Sequence, residues 1–255
     1  MRLRQGRGDF ASLSEVKHPA RRSLRQYKHR GAPVVLMTGS WTEGERQVAL
    51  NRGPHRSSTE HTPFLREEFA SMVEKGQWVV LPYSVAKRLP GLRLSPPGVN
   101  MERDRRPRWL GDYSYFKTNA ETLPVSCLSA MQYGWALERL ICEIVYADPG
   151  LGYVYLLKAN VSNGFYLIGL HPEDAPKLGL IFLSGEEEEP MVATPLTLTM
   201  VWKNSQPLFC TATETVADLA NKSLRSHQPS KSHKLDNRAE AIELPPAPPL
   251  AQEHA

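Results

Sequence analysis

The sequence has few cysteines and no long apolar run, and both shortages restrict the class of protein. Only Cys127, Cys142 and Cys210 occur, widely separated and without a CxxC spacing. Such a set fits neither a disulfide scaffold nor a zinc knuckle and is typical of a reducing compartment. No apolar stretch approaches the ~20 residues needed to span a bilayer, and the first residues lack a signal-peptide core. We therefore expect a soluble, intracellular protein of the cytoplasm or nucleus with no membrane partner.

Charge and proline content divide the sequence into a middle region and two ends. Residues 1–30 contain nine Lys and Arg against two acids, Asp9 and Glu15, a local excess of seven positive charges. A phosphate backbone would be attracted there, although a solvated basic tail is the simpler alternative. The chain also has 21 prolines and carries a Pro-rich run near its end. The expected parts are a basic, largely irregular segment at 1–59, a folded region at 60–225 and a Pro-rich disordered tail at 226–255.

Apolar periodicity predicts an α+β fold for the middle region. Helical spacing favours three helices, which are expected at residues 62–75, 126–145 and from about 205 onward. Short apolar runs bounded by turn residues favour strands at residues 78–81, 178–183 and 191–198. The apolar side of the second helix, which should face the core, consists of Leu137, Leu140, Ile141, Ile144 and Val145. The irregular order of helices and strands is typical of an α+β layer architecture.

Residues 156–170, which read LLKANVSNGFYLIGL, place a polar turn between two apolar runs. The first run is long enough for a strand and too short for a helix. Asn163 and Gly164 both tolerate positive φ and therefore favour a turn. The stretch is either a simple turn between two core segments or a buried strand that displays polar groups at its end.

A second candidate site lies where arginines crowd the end of a Pro-rich run. Arg103, Arg105, Arg106 and Arg108 immediately precede the aromatic sequence at 109–113. Arginines beside aromatic residues suit phosphate contact and base stacking. A solvated hairpin whose charges bind nothing specific is the alternative.

Three stretches, taken in order, resemble the reverse transcriptases of long-terminal-repeat retrotransposons and retroviruses. Residues 109–113, WLGDY, followed by Asn119 and a Leu-Pro pair, resemble the fingers segment of that family. Residues 156–177 resemble the palm segment that carries the first metal-binding aspartate, and residues 195–209 resemble the next palm segment. The resemblance covers roughly residues 60–225 and implies the fingers and a partial palm of a right-hand polymerase, with an RNA or DNA template-primer as partner.

The resemblance also implies roles for individual residues. Arg108 matches the fingers arginine that contacts the incoming triphosphate, and Arg105 or Arg103 would fill the accompanying basic role. Phe165 matches the aromatic gate against a ribose 2′-hydroxyl, with plain core packing as an equal alternative. Trp202 and Lys203 match positions on the template side.

Departures from the family pattern concern the metal site. Two Mg²⁺ ions held by carboxylates drive the family's chemistry, but Asn160 occupies the position of the first aspartate and Asn163 the polar position three residues later. No Tyr-X-Asp-Asp motif is present, and Val201 stands where the family has glycine. We therefore expect a degenerate, truncated fragment with no intact catalytic residue, no metal site and no cofactor.

Two other hypotheses stay open on the sequence. One is a non-catalytic nucleic-acid-binding protein that uses residues 1–30 and 103–108. The other is that the chain is the N-terminal piece of a longer, active polyprotein. Because the palm sheet of the family includes strands that are absent from these 255 residues, we also expect self-association through an exposed palm edge.

Overall fold

The structure is a computed structural model of the chain, and its fold is mixed α and β. It describes residues 18, 20–101, 103, 106–124, 133–154, 161, 163–182 and 189–225. The chain divides into two compact units, residues 1–215 and 216–255. The sheets and the side-chain contacts described below belong to the first unit. The predicted tail at 226–255 lies outside the described residues.

The N-terminal segment differs from the irregular structure predicted for residues 1–59. From residue 20 onward it contains helices α1 (Arg21–Arg30), α2 (Glu43–Arg52) and α3 (Arg56–Glu60). The first turn of α2 is fixed by a capping box, because Thr42 accepts from the backbone N–H of Glu45 and the Glu45 carboxylate accepts from the backbone N–H of Thr42. This Thr-x-x-Glu signature is readable in the sequence, but the weak apolar periodicity of the region obscured it.

The predicted helix at 62–75 and the strand that follows it are confirmed. Helix α4 (Thr62–Glu74) has a proline in its first turn and buries Leu65, Phe69 and Met72. Strand β1 (Trp78–Pro82) begins four residues after it. Phe69 and Trp78 meet edge to face with ring centroids 5.3 Å apart, so the helix packs directly on the strand.

The remaining elements alternate irregularly, as predicted. The other helices are α5 (Tyr83–Ala86), α6 (Thr118–Glu121), α7 (Tyr133–Val145) and α8 (Ser205–Arg225). The other strands are β2 (Leu94–Ser95), β3 (Pro97–Asn100), β4 (Arg108–Gly111), β5 (Gly179–Phe182) and β6 (Met191–Pro195). Short 3-10 helices occupy Pro149–Leu151, Gly164–Leu167 and Ala175–Leu178.

Two sheets form the β layer of the described chain. The larger has the order β1-β6-β5-β2, in which β6 is antiparallel to both neighbours and β2 is parallel to β5. The predicted strands near 178–183 and 191–198 are confirmed, and they pair with Leu180 opposite Ala193. The smaller sheet is the β3-β4 hairpin, in which Asn100 lies opposite Arg108.

An aromatic cluster joins the two sheets to α4. The Phe69 ring lies 5.0 Å from the rings of both Trp109 on β4 and Phe182 on β5, and Trp78 lies 5.2 Å from Trp109. Trp78 and Trp109 are almost completely buried. Each large aromatic ring removes ~150–250 Å² from water, so this cluster is a principal stabilising element of the fold.

Residues 31–38 run through the core as an extended strap. The Ala32 N–H donates to the Gly169 carbonyl, and the His171 N–H donates to the Ala32 carbonyl, at 2.8 and 2.9 Å. Farther along the strap, the Leu123 N–H donates to Val35 at 2.9 Å. Ala32 and Val34 on the strap are fully buried. The strap therefore connects the two stretches that resemble fingers and palm.

The apolar side predicted for the second helix is exposed in the residues that the structure describes. In α7 the side chains of Leu140, Ile141, Ile144 and Val145 are 39–68% exposed. The apolar stripe is present at helical spacing, but no described element covers it. Sequence periodicity locates such a stripe without indicating what lies against it.

Within the ranges that the structure describes, no helix combines the length and the apolar character needed to cross a membrane.

Candidate functional site

Asn119 joins the first and third of the stretches that carry the resemblance. Its side-chain amide donates to the Val201 carbonyl at 3.0 Å, and its side-chain carbonyl accepts from the Lys203 N–H at 2.9 Å. These two bonds lie on either side of Trp202 in the loop between β6 and α8. We call this arrangement the Asn119 clamp. It holds residues more than 80 positions apart in the sequence in one place.

Trp202 lies inside the clamp and faces the core. Trp202 is only 2% exposed, and its indole N–H donates to the Thr122 hydroxyl at 3.1 Å. The predicted template-side role of Trp202 is therefore not available to its side chain in this structure, because burial leaves it no surface for a template. The neighbouring Lys203 is exposed, and its ammonium group reaches the Thr122 carbonyl at 3.5 Å.

Asn204 completes the contact between the two stretches. Its side-chain amide donates to the Leu123 carbonyl at 2.7 Å and is almost fully buried. A buried amide without a partner would cost ~1–3 kcal/mol, so the bond fixes the start of α8 against the strap-bound segment.

Val201 adopts a backbone conformation that glycine would adopt without strain. Its φ is +66°, in the left-handed region, and the residue is β-branched and half exposed. Such a conformation is rare for a β-branched side chain because its Cβ substituents crowd the backbone. The loop therefore has a glycine-like backbone at Val201, next to the hydrogen bonds of the Asn119 clamp.

The turn at Asn163 and Gly164 packs against the start of α8. Asn163 has φ +55°, as expected of a turn residue. A Cβ on Gly164 would lie 2.5 Å from the Phe209 ring, so a larger residue there would require that ring to move. The Phe165 ring meets Phe209 edge to face at 5.3 Å and is half buried. Core packing of Phe165 is therefore part of its role, and Asn160 lies outside the described residues.

Residues 195–209 thus contact both other stretches, one through the Asn119 clamp and the other through Phe209. Phe209 lies on α8 immediately beyond the Asn119 clamp, and it contacts both Gly164 and Phe165. All three stretches that carry the resemblance are consequently neighbours in the first unit.

A cleft of about 330 Å³ opens between this turn and α4. Its charged and polar lining comes from Glu67, Glu68, Ser71, Lys75, Gln77, Arg106, Asn163 and Tyr166. Arg106 pairs with Glu68 and approaches Glu67 to 3.9 Å, so its guanidinium is largely neutralised. Burial, together with the charge of Glu68, raises the pKa of Tyr166 to about 12. The cleft is polar and nearly balanced in charge.

The predicted arginine site is only partly assembled around the cleft. Arg106 lines the cleft, although no individual role was predicted for it. Arg108 is exposed at the start of β4, opposite Asn100. Arg103 is exposed, and Arg105 lies outside the described residues. Alternation along β4 explains the difference between Arg108 and its buried neighbour Trp109.

The Asp-Tyr pair of the fingers-like stretch has structural partners. One carboxylate oxygen of Asp112 accepts the N–H groups of Ser114 and Tyr115 at 3.1 Å, and the other lies 3.0 Å from the His55 ring. Tyr113 is 1% exposed and donates its hydroxyl proton to the Leu178 carbonyl at 3.1 Å. Burial raises the pKa of Tyr113 well above its usual range. These groups shape the hairpin end rather than a reacting centre.

No protein-family model and no curated protein matches this sequence.

Proposed function

We propose that the chain is a reverse-transcriptase-like fingers and partial palm that does not synthesise DNA. The proposal combines the order of the three sequence stretches with the amides at the expected metal-binding turn. It makes the protein a non-catalytic retroelement fragment rather than a polymerase.

The observation that carries the likeness is the convergence of the three stretches. The Asn119 clamp joins the first to the third, and Phe209 joins the third to the turn at Gly164 and Phe165. Segments distributed over about a hundred residues would meet in this way if they built one site.

The argument against catalysis is chemical. Mg²⁺ prefers anionic oxygen ligands, and two-metal phosphoryl transfer needs several carboxylates around the ions. Asn160 and Asn163 retain carbonyl oxygens but carry no charge. An amide in place of a carboxylate removes charge that neutralises the phosphates during in-line displacement. The residues present therefore do not fit the two-metal site, and we derive no catalytic step for them.

The residues that remain would hold a nucleotide weakly. Arg108 supplies positive charge at the start of β4, Phe165 is half buried, and Lys203 is exposed beside the Asn119 clamp. Arg106 is already paired with Glu68 and would have to exchange that partner for a phosphate.

A primer-extension assay on an RNA template tests the proposal. The full chain, with Mg²⁺ or Mn²⁺ supplied, is expected to give no template-dependent product. The Asn160→Asp variant is expected to stay inactive as well, because the sequence has no Tyr-X-Asp-Asp motif to supply the remaining metal ligands. Extension by the wild-type chain that depends on template and divalent metal, and disappears in Asn160→Ala, would overturn the proposal.

A further inference from the structure

Helix α1 presents an outer face that carries basic and polar side chains and no acidic one. Within its sequence RRSLRQYKHR there is no acidic residue. Five exposed side chains follow the spacing i, i+3, i+4, i+7 and i+8, which places them on one side of a helix; they are Arg22, Arg25, Gln26, His29 and Arg30. The described part of the chain gives Arg22, Arg25 and Arg30 no ion pair.

The opposite side of α1 is attached to the core. Tyr27 is half buried and packs against the main core cluster. Burial raises the pKa of Tyr27, while hydrogen bonds with Thr211 and Ser23 act in the opposite direction. Leu24 lies on the same inner side and is also half buried. The basic face is therefore presented by an anchored helix and not by a solvated tail.

The C-terminal end of α1 is also fixed to the core, through backbone hydrogen bonds. Gly31 caps the helix by donating its N–H to the Tyr27 carbonyl at 3.1 Å. The next residue, Ala32, pairs with the backbone at Gly169 and His171. Since the helix passes directly into the buried strap, its outer face keeps one orientation relative to the first unit's core.

We propose that this face, which we call the α1 basic face, binds the phosphate backbone of a nucleic-acid duplex without reading its sequence. From Arg22 to Arg30 the helix rises about 12 Å. A duplex carries one negative charge per ~1.7 Å of its axis, so three guanidinium groups over that length meet several phosphates. The inference goes beyond the proposed function and does not depend on it.

The composition of the α1 basic face favours nucleic acid over a lipid surface. A helix that lies in a membrane interface inserts large apolar residues on one side. In α1 the apolar residues, Leu24 and Tyr27, are directed into the protein. The outer face offers charge and the amide of Gln26 but no apolar group to bury in a bilayer.

Fluorescence anisotropy of a short labelled duplex tests the inference with the full chain. The triple variant Arg22→Gln, Arg25→Gln, Arg30→Gln should bind at least tenfold more weakly at low salt. Each lost phosphate contact reduces the slope of log K against log salt by about 0.9, so the slope should fall by about 2.7. The corresponding triple Arg→Lys variant should keep most of the affinity, because backbone contact needs charge and not a bidentate fork.

The matched control changes net charge equally at three exposed arginines outside α1, with Arg56→Gln, Arg66→Gln and Arg88→Gln. It should bind as the wild type does, and circular dichroism should show that both triple variants remain folded. Equal weakening by both triples would mean that only net charge matters and would overturn the inference. So would absence of duplex binding by the wild type, or binding of anionic lipid vesicles alone.

Discussion

At the scale of single residues, Val201 is a β-branched residue in a left-handed backbone conformation that suits glycine. Two hydrogen bonds fix the backbone that follows its φ angle: the Asn119 amide donates to the Val201 carbonyl, and the Lys203 N–H donates to the Asn119 side-chain carbonyl. Two hydrogen bonds worth ~1 kcal/mol each are comparable with the strain of a left-handed β-branched residue, ~1–3 kcal/mol. The clamp is thus able to hold the loop, and a substitution that removes the strain at Val201 should increase the stability of the protein.

Replacing Val201 by glycine is expected to stabilise the protein. Glycine removes the strain of about 1–3 kcal/mol but adds ~0.5–1 kcal/mol of unfolded-state entropy, so a net gain of about 1 kcal/mol is expected. The denaturant midpoint should rise in Val201→Gly and should rise less in Val201→Ala, which keeps a Cβ. A lower midpoint for the glycine variant would show that φ is not a source of strain here.

At the scale of elements, Gly31 at the start of the strap and Gly53 after α2 form a matched pair. Gly31 and Gly53 both have positive φ, +84° and +68°, and each follows a helix. A Cβ on Gly31 would lie 2.4 Å from the Leu170 backbone, whereas a Cβ on Gly53 would meet nothing within 4 Å. The difference between the two sites is therefore the close approach of the strap to residues 170–171.

Gly31→Ala should destabilise the protein far more than Gly53→Ala. Backbone strain alone costs ~1–2 kcal/mol and applies to both. At Gly31 the strap must also move away from Leu170, which disrupts the hydrogen bonds of Ala32. We expect a loss at least twice as large, measured as the free energy of unfolding. Similar losses at the two positions would contradict the close approach.

A buried arginine links the strap to β2 and α6. Arg93 is 1% exposed, pairs with Glu121 and donates to the Gly39 carbonyl at 3.0 Å. Burial of Glu121 opposes its ionisation, but hydrogen bonds from Thr38 and Arg93 outweigh that effect and hold its pKa below the ordinary value. The contribution of this carboxylate is therefore present above the unfolded pKa and lost as the pH falls through the folded one.

Glu121→Gln is expected to cost about 3 kcal/mol near neutral pH, because Arg93 would stay buried without a counter-charge. Urea titrations at several pH values should show the difference from wild type shrinking as the pH falls below the ordinary glutamate pKa of 4.5. Glu60→Gln is the control, since its pair with Arg56 is exposed and should contribute little. A difference in the free energy of unfolding that stays constant across that pH range would rule out the charge of Glu121 as its cause.

The sequence predicted the elements whose determinants are local. The proline-led start of α4, the apolar run of β1 and the paired runs of β5 and β6 all depend on neighbours within a few residues. The Asn119 clamp and the role of Arg106 depend on partners that are distant in sequence, and no local pattern indicates them. The buried position of Trp202 likewise follows from Thr122, 80 residues away. The exposed face of α7 shows the same limit. The apolar stripe is set by local spacing, but whether another element packs against it depends on residues far away in the sequence.

At the scale of the whole molecule, the α7 stripe should promote weak self-association. Exposed apolar side chains at helical spacing form a surface that a second apolar surface can cover. The double variant Ile141→Lys, Val145→Lys should lower the association constant in sedimentation experiments. A control double variant, Val48→Lys, Val73→Lys, adds the same charge at exposed valines on α2 and α4. If both variants dissociate equally, charge repulsion and not the stripe is responsible.

The strap also has a consequence for the time course of folding. Val34 donates its N–H to Asp174, a partner 140 positions later in the chain. At synthesis rates of ~5–20 residues per second, the first residues of the strap wait roughly ten seconds for the backbone that will enclose them. Closing so long a loop is entropically costly, so we infer that the strap docks late. An N-terminal fragment released early from the ribosome would leave its apolar residues to chaperones or to aggregation.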